Sequence, residues 1–344
     1  MVFESHLRNH FTVKSKAKII GVGAYLPERV LSNQDLEKMV DTSDEWIISR
    51  TGMKERRLAA SDEFTSDMGY EAAKRALENG NIEAEEIDLI LVATLTPDYV
   101  FPSTACLIQN RLGATGAAAM DVQAACSGYI YALSMAKAYV ESGMYKNVLI
   151  IAAEKLSSIV DYEDRNTCVL FGDGASACVV SDAKEGYTIE NVTLGSDGEQ
   201  SEILKLPAGG SKRPASIETV QGKEHFIQMG GKEVFKHAVR RMEEAVKTSL
   251  DAAGLKEEEI SWMVPHQANL RIINALAKRF QVPNDHVYVT IHKYGNTSAS
   301  SVGIALDELL KEKSVKRGER MVLFGFGAGL TWGAASLTCE VDRG

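Results

Sequence analysis

The chain has 344 residues, of which 45% are hydrophobic and 25% charged, and its formal net charge is −9. This composition is typical of a soluble globular protein and argues against a general nucleic-acid binder, because neutralising phosphates requires a basic surface. No apolar run approaches the roughly 20 residues that span a bilayer. The five cysteines lack metal or disulfide spacing, which favours a reducing, cytoplasmic location.

The first 16 residues carry scattered charges without the apolar centre of a secretory signal, and we interpret them as a short N-terminal extension. Helices and strands are then predicted to alternate, which favours largely parallel sheets covered by helices. Thr42 and Glu45 predict a capping box at the start of the first long helix. That helix carries Trp46 and Arg50 four positions apart, so one face can present both side chains.

Two halves of the chain share a pattern. A helix, a turn and a strand at 87–92 are matched by the same elements with a strand at 260–264, 173 positions later. Apolar strands at 148–151 and 321–324 repeat this offset. Chance is the alternative, because all βαβ units look alike, but two pairs at one offset favour a duplication. The sequence predicts two similar α/β halves that pack as one unit, residues 17–185 and 186–344.

Cys126 lies where a strand that ends near Val122 is followed by a predicted helix. The positive end of a helix dipole lowers the pKa of a thiol and raises the fraction of thiolate, the form that attacks acyl groups. Small neighbours at 124–128 leave room for a substrate. A cysteine alone is more often an inert buried side chain. We interpret the other four in that way: Cys106, Cys168, Cys178 and Cys339.

His266 and Asn296 are the other chemical candidates. His266 follows the strand at 260–264, and ligand sites form at the carboxyl ends of strands in α/β sheets. Asn296, in a Gly-Asn-Thr-Ser segment, alone indicates a turn and a helix N-cap. In the repeat, however, Asn296 falls 170 positions after Cys126, nearly the equivalent place. If the halves pack about a pseudo-twofold axis, all three side chains face one cavity.

The glycine run 325–329 follows the strand at 321–324 and leads into another strand. A phosphate loop is not supported, since no helix follows the run. We interpret it as a close backbone approach whose N–H groups can hold an oxyanion, although for an isolated glycine run a hairpin turn would be the better interpretation.

Motifs along the whole chain together resemble the β-ketoacyl-acyl-carrier-protein synthase III family, the initiating condensing enzymes of bacterial fatty-acid synthesis. They lie at 42–52, 124–128, 171–175, 264–269, 295–298 and 325–333. The resemblance extends from about residue 18 to residue 341. It implies a thiolase-type fold, with five αβαβα layers built from two similar halves, and usually a homodimer.

The resemblance also implies an acyltransferase reaction. Acetyl-CoA, or another short acyl-CoA, acylates Cys126 as a substrate, and no cofactor or metal is required. Malonyl-acyl-carrier protein then loses CO2 and attacks the thioester, which gives 3-ketoacyl-acyl-carrier protein. His266 and Asn296 are expected to donate hydrogen bonds to the enolate. The backbone N–H groups of Cys126 and Ala328 are expected to hold the oxyanion of the acyl group. Ala328 replaces a glycine of the family pattern, which is the clearest departure from it.

Binding residues follow from the same resemblance. The adenine of CoA is expected to stack between Trp46 and Arg165, with Arg50 at the phosphates and Thr42 in the same motif. Phe101 matches a position that reaches across the dimer and closes the acyl pocket, which suggests a short primer. Because carrier protein is acidic, basic side chains on two helices are candidates for its binding, although a solvated helix face explains them about as well. They are Lys232, Lys236, Arg271, Lys278 and Arg279.

Four other classes of protein share part of this pattern. A biosynthetic thiolase carries a second catalytic cysteine near its last glycine loop, whereas Cys339 lies well inside the final predicted strand. Chalcone-synthase-like polyketide synthases share the Cys, His and Asn, but Trp46 with Arg165 favours the initiating synthase. The spacing of Cys126 and His266 permits a Cys-His-Asn hydrolase, but this chain has no segment that resembles the sequence around a papain-type cysteine. An inactive scaffold protein is disfavoured because all three catalytic residue types are intact.

Overall fold

The computed structural model describes residues 15–341, so most of the predicted extension 1–16 lies outside the described residues. The strands are β1 (Lys18–Tyr25), β2 (Arg29–Ser32), β3 (Glu55–Leu58), β4 (Leu89–Ala93), β5 (Ala118–Val122), β6 (Asn147–Glu154), β7 (Gly174–Ser181), β8 (Tyr187–Ser196), β9 (Leu204–Lys205), β10 (Gln228–Met229), β11 (Ile260–Pro265), β12 (Arg320–Gly327) and β13 (Thr331–Cys339). The helices are α1 (Asn33–Leu36), α2 (Asp44–Thr51), α3 (Thr65–Gly80), α4 (Thr104–Leu112), α5 (Gly128–Ser142), α6 (Arg165–Cys168), α7 (Ile217–Gln221), α8 (Gly231–Ala253), α9 (Leu270–Arg279), α10 (Ile291–Tyr294) and α11 (Ser300–Glu312).

Nine strands form one sheet in the order β11-β12-β13-β8-β1-β7-β6-β4-β5. It consists of two parts, one from each half of the chain, that meet where Lys18 pairs with Thr188 and Ile19 with Tyr187. The pairs β4–β5, β4–β6 and β11–β12 are parallel, while the remaining pairs of this sheet are antiparallel. The prediction of largely parallel sheets was therefore wrong. Three residues join β12 to β13, too few for the crossover that a parallel pair needs.

Successive side chains of the central strands point into different cores, as the alternation of a strand requires. On β4, Leu91 faces a central core and Val92 an outer core; on β12, Leu323 faces the same central core and Phe324 a second outer core. Helices α5 and α11 fill the central core, α3 and α4 one outer core, and α8 and α9 the other. These five layers confirm the predicted αβαβα architecture.

The internal repeat is visible in the element bounds. Strands β6 and β12 have eight residues each and begin at Asn147 and Arg320, 173 positions apart. Helices α5 and α11 begin at Gly128 and Ser300. The predicted boundary between residues 185 and 186 falls in the loop between β7 and β8.

The apolar segment 287–290, which precedes Asn296, does not form a strand. Val287 makes a single bridge to Met263, and the N–H groups of Thr290 and Ile291 donate to Gln267 Oε1 at 2.9 and 3.1 Å. The Gln267 side chain thus takes hydrogen bonds that a neighbouring strand would otherwise accept. Among the helices within residues 15–341, none has the length and hydropathy that a membrane crossing requires.

Candidate active site

Cys126 lies in a 3-10 turn, Ala125–Ser127, directly before α5. The turn bends sharply, since Ala125 has a left-handed φ of 44°. Ser127 Oγ donates to Ala124 O at 2.7 Å and closes the turn. The Cys126 side chain is buried, with 9% of its surface exposed. The structure therefore places the predicted nucleophile at the start of a central helix, but almost out of contact with solvent.

Burial has a larger effect on this thiol than the helix dipole. Desolvation raises the pKa of Cys126 to about 12, the negative charge of Glu154 adds to the rise, and the Ser298 hydroxyl opposes it. The expectation of a lowered pKa was wrong, because the charged form loses its water in this dry site. The thiol is protonated at neutral pH, so it must lose its proton as it attacks.

The end of β12 passes directly beside Cys126 and His266. A Cβ atom at Gly327 would lie 2.5 Å from Cys126 N, which no side chain tolerates. At Gly325, a Cβ would lie 3.4 Å from Cys126 O and 3.7 Å from His266 Cβ. The predicted close backbone approach is confirmed. Ala328 begins the turn after β12 without a left-handed φ, so an alanine is accommodated there.

His266 follows β11, and its N–H donates to Phe324 O at 2.8 Å. Its Nδ1 lies 2.7 Å from Ser301 Oγ, which already accepts a hydrogen bond from Gln267 N at 3.2 Å. We infer that Ser301 donates its own proton to Nδ1, which leaves the imidazole proton on Nε2. Burial lowers the pKa of His266 to about 4. The ring is therefore neutral at pH 7 and presents an N–H donor.

Asn296 is fixed by both its backbone and its side chain. Its N–H donates to Leu170 O at 2.8 Å, and its carbonyl accepts from Gly172 N at 3.0 Å. Its Oδ1 accepts from Ser298 N at 2.8 Å. Because the oxygen is occupied, the Nδ2 group remains as the donor. This geometry suits the predicted role of donating to an enolate.

The segment 296–301 brings the three predicted side chains together. Ser298 lies beside Cys126, whose pKa it lowers, and Ser301 bonds to His266. Ala299 packs against the first residue of α5, where a Cβ at Gly128 would be 3.4 Å from its own Cβ. The starts of α5 and α11 therefore face the same small volume, as the repeat predicted.

Trp46, Arg50 and Arg165 form a second cluster. The Arg165 guanidinium lies 5.1 Å and the Arg50 guanidinium 5.6 Å from the centre of the Trp46 ring. Arg165 Nη1 also donates to Asp41 O at 2.8 Å. An indole ring that stacks with a guanidinium can also stack with a planar base, so a base could take the place of the arginine on Trp46.

The predicted capping box on α2 was wrong. Ser43 is the N-cap, and its Oγ accepts from Trp46 N at 3.1 Å. It stands three positions before Trp46, the spacing that an N-cap oxygen needs to reach the third helical N–H. Thr42 Oγ1 is buried and has no hydrogen-bond partner within residues 15–341.

Arg56 holds the two sides of this cluster together, and sequence analysis missed it. The residue is fully buried. Its Nη2 donates to Val169 O at 2.6 Å, directly after the helix of Arg165. Its Nη1 donates to Asn33 Oδ1 at 2.8 Å, and Asn33 Nδ2 donates to Asp44 Oδ1, at the start of α2, at 2.8 Å. Nothing in the sequence distinguishes this arginine from its neighbours.

The five basic candidates for carrier binding do not have the same surroundings. Lys232, Lys236, Arg271 and Lys278 are exposed. Arg279 is half-buried and pairs with Glu243 at 2.7 Å and Glu257 at 3.2 Å. Its charge is thus offset within the chain, which makes it the weakest of the five candidates.

Phe101 points away from the chain that carries it. It is 83% exposed, and its neighbours Tyr99 and Val100 are exposed by 60% and 91%. The loop follows β4, and its end lies beside the edge strand β5, because Thr104 N and Ala105 N donate to the Asp121 carboxylate at 2.8 Å. An exposed apolar loop next to an unpaired strand edge is typical of a protein–protein contact.

Comparisons with known proteins identify relatives of this chain. Models described as 3-oxoacyl-[acyl-carrier-protein] synthase III and its C-terminal part match residues 120–198 and 250–339. A β-ketoacyl-[acyl-carrier-protein] synthase III of Chlamydia muridarum is 60% identical over 323 residues, covering 94% of this chain and 99% of the relative. One from Caldanaerobacter subterraneus is 55% identical over 322 residues, covering 94% and 97%.

Solved structures agree with these relatives. A 3-oxoacyl-[acyl-carrier-protein] synthase III from Aquifex aeolicus has a TM-score of 0.86 and 52% identity, covering 94% of this chain and 99% of its own. A priming β-ketosynthase from the R1128 polyketide pathway has a TM-score of 0.87 and 37% identity, covering 95% and 97%. The expected thiolase-type condensing-enzyme fold is confirmed.

If the cluster of Trp46, Arg50 and Arg165 binds CoA as expected, replacing Arg56 with lysine should weaken that binding. Lysine keeps the charge but cannot bridge Asn33 and Val169, and each buried acceptor left unpaired costs about 1–3 kcal/mol. We expect the Kd for CoA, measured by calorimetry, to rise about tenfold, because 1.4 kcal/mol corresponds to that factor. Arg57→Lys is the matched control, since Arg57 lies next to it on β3 and bonds to Pro27 O and Glu28 O instead. Equal Kd values for both variants and the wild type would contradict this role.

Proposed function

Because the chain belongs to the β-ketoacyl-[acyl-carrier-protein] synthase III family, we propose that it condenses a short acyl-CoA with malonyl-acyl-carrier protein. It is an acyltransferase that initiates fatty-acid synthesis, and acetyl-CoA is the acyl donor that we propose. The products are 3-ketoacyl-acyl-carrier protein, CoA and CO2. The observation that carries the proposal is the meeting of Cys126, His266 and Asn296 at the starts of the two central helices.

In the first half-reaction, Cys126 Sγ attacks the thioester carbon of acyl-CoA and CoA leaves. The negative charge that develops on the carbonyl oxygen needs donors already in place. We propose that the backbone N–H groups of Cys126 and Ala328 supply them. The close approach of Gly327 to Cys126 N supports this, because it brings the backbone that leads to Ala328 next to the backbone of Cys126.

In the second half-reaction, the malonyl group loses CO2 and its carbon attacks the acyl thioester. The enolate that forms needs hydrogen-bond donors that do not also protonate its carbon. His266 and Asn296 suit this requirement: His266 is neutral with its proton on Nε2, and the Asn296 Nδ2 group has no acceptor among residues 15–341. Both donors are buried, where a hydrogen bond to a developing charge is strongest.

The acyl-CoA site that we propose extends from Cys126 to the cluster on α2 and α6. Adenine would insert between the Trp46 ring and the Arg165 guanidinium, which now stack on each other. Arg50 would contact the phosphates, and Thr42 would line the entrance. In this proposal acyl-CoA is a substrate rather than a resident cofactor. The five free cysteines favour a cytoplasmic location.

We propose a homodimer in which the β5 edges of two copies pair and Phe101 closes the acyl pocket of the partner subunit. The 83% exposure of Phe101 beside an edge strand supports this arrangement. The acidic carrier protein is proposed to dock on the exposed Lys232, Lys236, Arg271 and Lys278, and Arg279 contributes less because Glu243 and Glu257 offset its charge.

Separate assays of the two half-reactions test the proposed roles. Asn296→Asp keeps the Oδ1 acceptor for Ser298 N–H but replaces the donor with a carboxylate oxygen. We expect acyl-enzyme formation from labelled acetyl-CoA to stay within about threefold, and CO2 release from malonyl-acyl-carrier protein to fall about 100- to 1,000-fold. His266→Ala should behave similarly, and Cys126→Ala should form no acyl-enzyme. If Asn296→Asp or His266→Ala lost acyl-enzyme formation as strongly as CO2 release, the division of roles would be contradicted.

Phe101→Ala should change the chain length of the primer. Removing a ring that closes the pocket admits longer acyl groups, and each methylene in an apolar pocket is worth about 1–3 kcal/mol. We expect the ratio of kcat/KM for octanoyl-CoA to that for acetyl-CoA to rise at least about tenfold. Val100→Ala, in the same exposed loop, is the control. An unchanged ratio, or a monomeric wild type in light scattering, would contradict the placement of Phe101.

A further inference from the structure

Glu154 is a buried carboxyl group next to the nucleophile for which the condensation chemistry above has no use. It ends β6 and is completely buried. Its Oε2 accepts hydrogen bonds from Thr96 Oγ1 at 2.8 Å, Leu95 N at 3.1 Å and Thr94 Oγ1 at 3.3 Å. Its Oε1 has no hydrogen-bond partner within residues 15–341. One oxygen is thus fully used for structure, and the other is free to exchange a proton.

Ser298 lies close to both this carboxyl group and the nucleophile. Its hydroxyl lowers the pKa of both Cys126 and Glu154, so it is within reach of both. In this resting geometry the same Oγ has no hydrogen-bond partner in the described part of the chain, so it is free to bond to either group. Ser298 is fully buried and has a left-handed φ of 53°, which is uncommon for serine and recurs at functional sites. The bond from its N–H to Asn296 Oδ1 holds it there.

Cys126 needs a proton acceptor, and His266 does not suit this task. The thiol is protonated at neutral pH, because burial raises its pKa to about 12. His266 Nδ1 is occupied by Ser301, and burial lowers the pKa of the ring to about 4. Glu154 is the better base, since burial raises its pKa from 4.5 to about 7. A base with a pKa near the working pH is the most effective kind.

We propose that Ser298 and Glu154 form a proton relay for Cys126, a step that rests on the proposed acyl-transfer function. As Sγ forms its bond to the acyl carbon, the thiol proton passes to Ser298 Oγ and the serine proton to Glu154 Oε1. The bond from the acyl carbon to the CoA sulfur then breaks, and the CoA thiolate takes a proton from solvent.

The condensation step returns the proton. When the new carbon–carbon bond has formed, the bond between the acyl carbon and Cys126 Sγ breaks and a thiolate is expelled. Glu154 then gives its proton back through Ser298, which restores the thiol and the carboxylate. One turnover therefore consumes one proton from solvent, the proton that CoA carries away, and the malonyl carboxylate leaves as CO2.

The relay predicts a pH dependence with a definite sign. Only the carboxylate form of Glu154 accepts a proton, so acylation should become faster as pH rises through about 7. The side chains that face Glu154 are Thr94 and Thr96 from the loop after β4, Ser298, and Cys126, and only Cys126 among these neighbours titrates. Neither Cys126 nor His266, with pKa values near 12 and 4, changes charge between pH 5.5 and 9.

The test is the rate of acyl-enzyme formation from labelled acetyl-CoA, measured by quenched flow between pH 5.5 and 9. Glu154→Gln keeps an amide oxygen for the hydrogen bonds to Oε2 but accepts no proton. We expect acylation at pH 8 to be about 100-fold slower and the rise near pH 7 to disappear. Ser298→Ala should slow acylation at least about tenfold, and the double variant should be no slower than Glu154→Gln, because the two groups act as one unit.

Thr96→Val gives an independent check that needs no change at Glu154 itself. The Thr96 hydroxyl lowers the pKa of Glu154, so its loss should move the rise in acylation rate to higher pH. Circular dichroism and the Kd for CoA would reveal whether Glu154→Gln folds. The Thr96→Val test does not depend on that variant. A purely structural role for Glu154 would leave the pH profile in place.

The outcomes separate the relay from the function on which it rests. If the wild type forms no acyl-enzyme at any pH, the proposed acyl transfer is wrong. If the wild type is acylated but Glu154→Gln or Ser298→Ala keeps both its rate and its pH profile, the relay is wrong. The same conclusion follows if Thr96→Val leaves the midpoint of the pH profile unchanged.

Discussion

Desolvation at the meeting point of the two central helices is the constraint on which the chemistry of this protein depends. It raises the pKa of Cys126 and of Glu154 and lowers that of His266. Cys126 and His266 are therefore neutral near pH 7, while Glu154 gains or loses its proton close to that pH. A site of this kind stabilises charge only where donors are already in place, and any charge that forms must be stabilised or passed on. The proton of Cys126 thus needs a defined path.

The five-layer fold provides this dry site because its active residues lie inside the molecule, between two sheet halves. Helices α5 and α11 start from equivalent places in the repeat, and the segment after Asn296 links them. The glycines at the end of β12 let the backbone approach Cys126 closely. The repeated arrangement of elements in the two halves therefore accounts for the position of the site, while differences between the halves supply its chemistry.

The sequence predicted the site better than its electrostatics. Cys126, His266 and Asn296 could be predicted because strand ends and the internal repeat can be located in the sequence itself. The predicted sign of the Cys126 pKa shift was wrong. The position of a helix start can be inferred from the sequence, whereas the depth at which the thiol is buried cannot. Arg56 and Glu154 were missed for a related reason. Arg56 lies within a short strand and Glu154 is the last residue of an apolar strand. From the sequence alone a charged side chain in such a position is expected to be solvent-exposed, whereas the fold buries both. Likewise, Thr42 and Ser43 are both plausible N-caps until the helix start is known.

The central claim is that Cys126 carries the acyl group, and intact-protein mass after incubation with acetyl-CoA tests it most directly. The account predicts a gain of one acetyl group in the wild type and no gain in Cys126→Ala. An adduct that forms only with longer or branched acyl-CoA would keep the mechanism and change the primer. The absence of an adduct with every acyl-CoA tried, in a folded protein, would contradict the account.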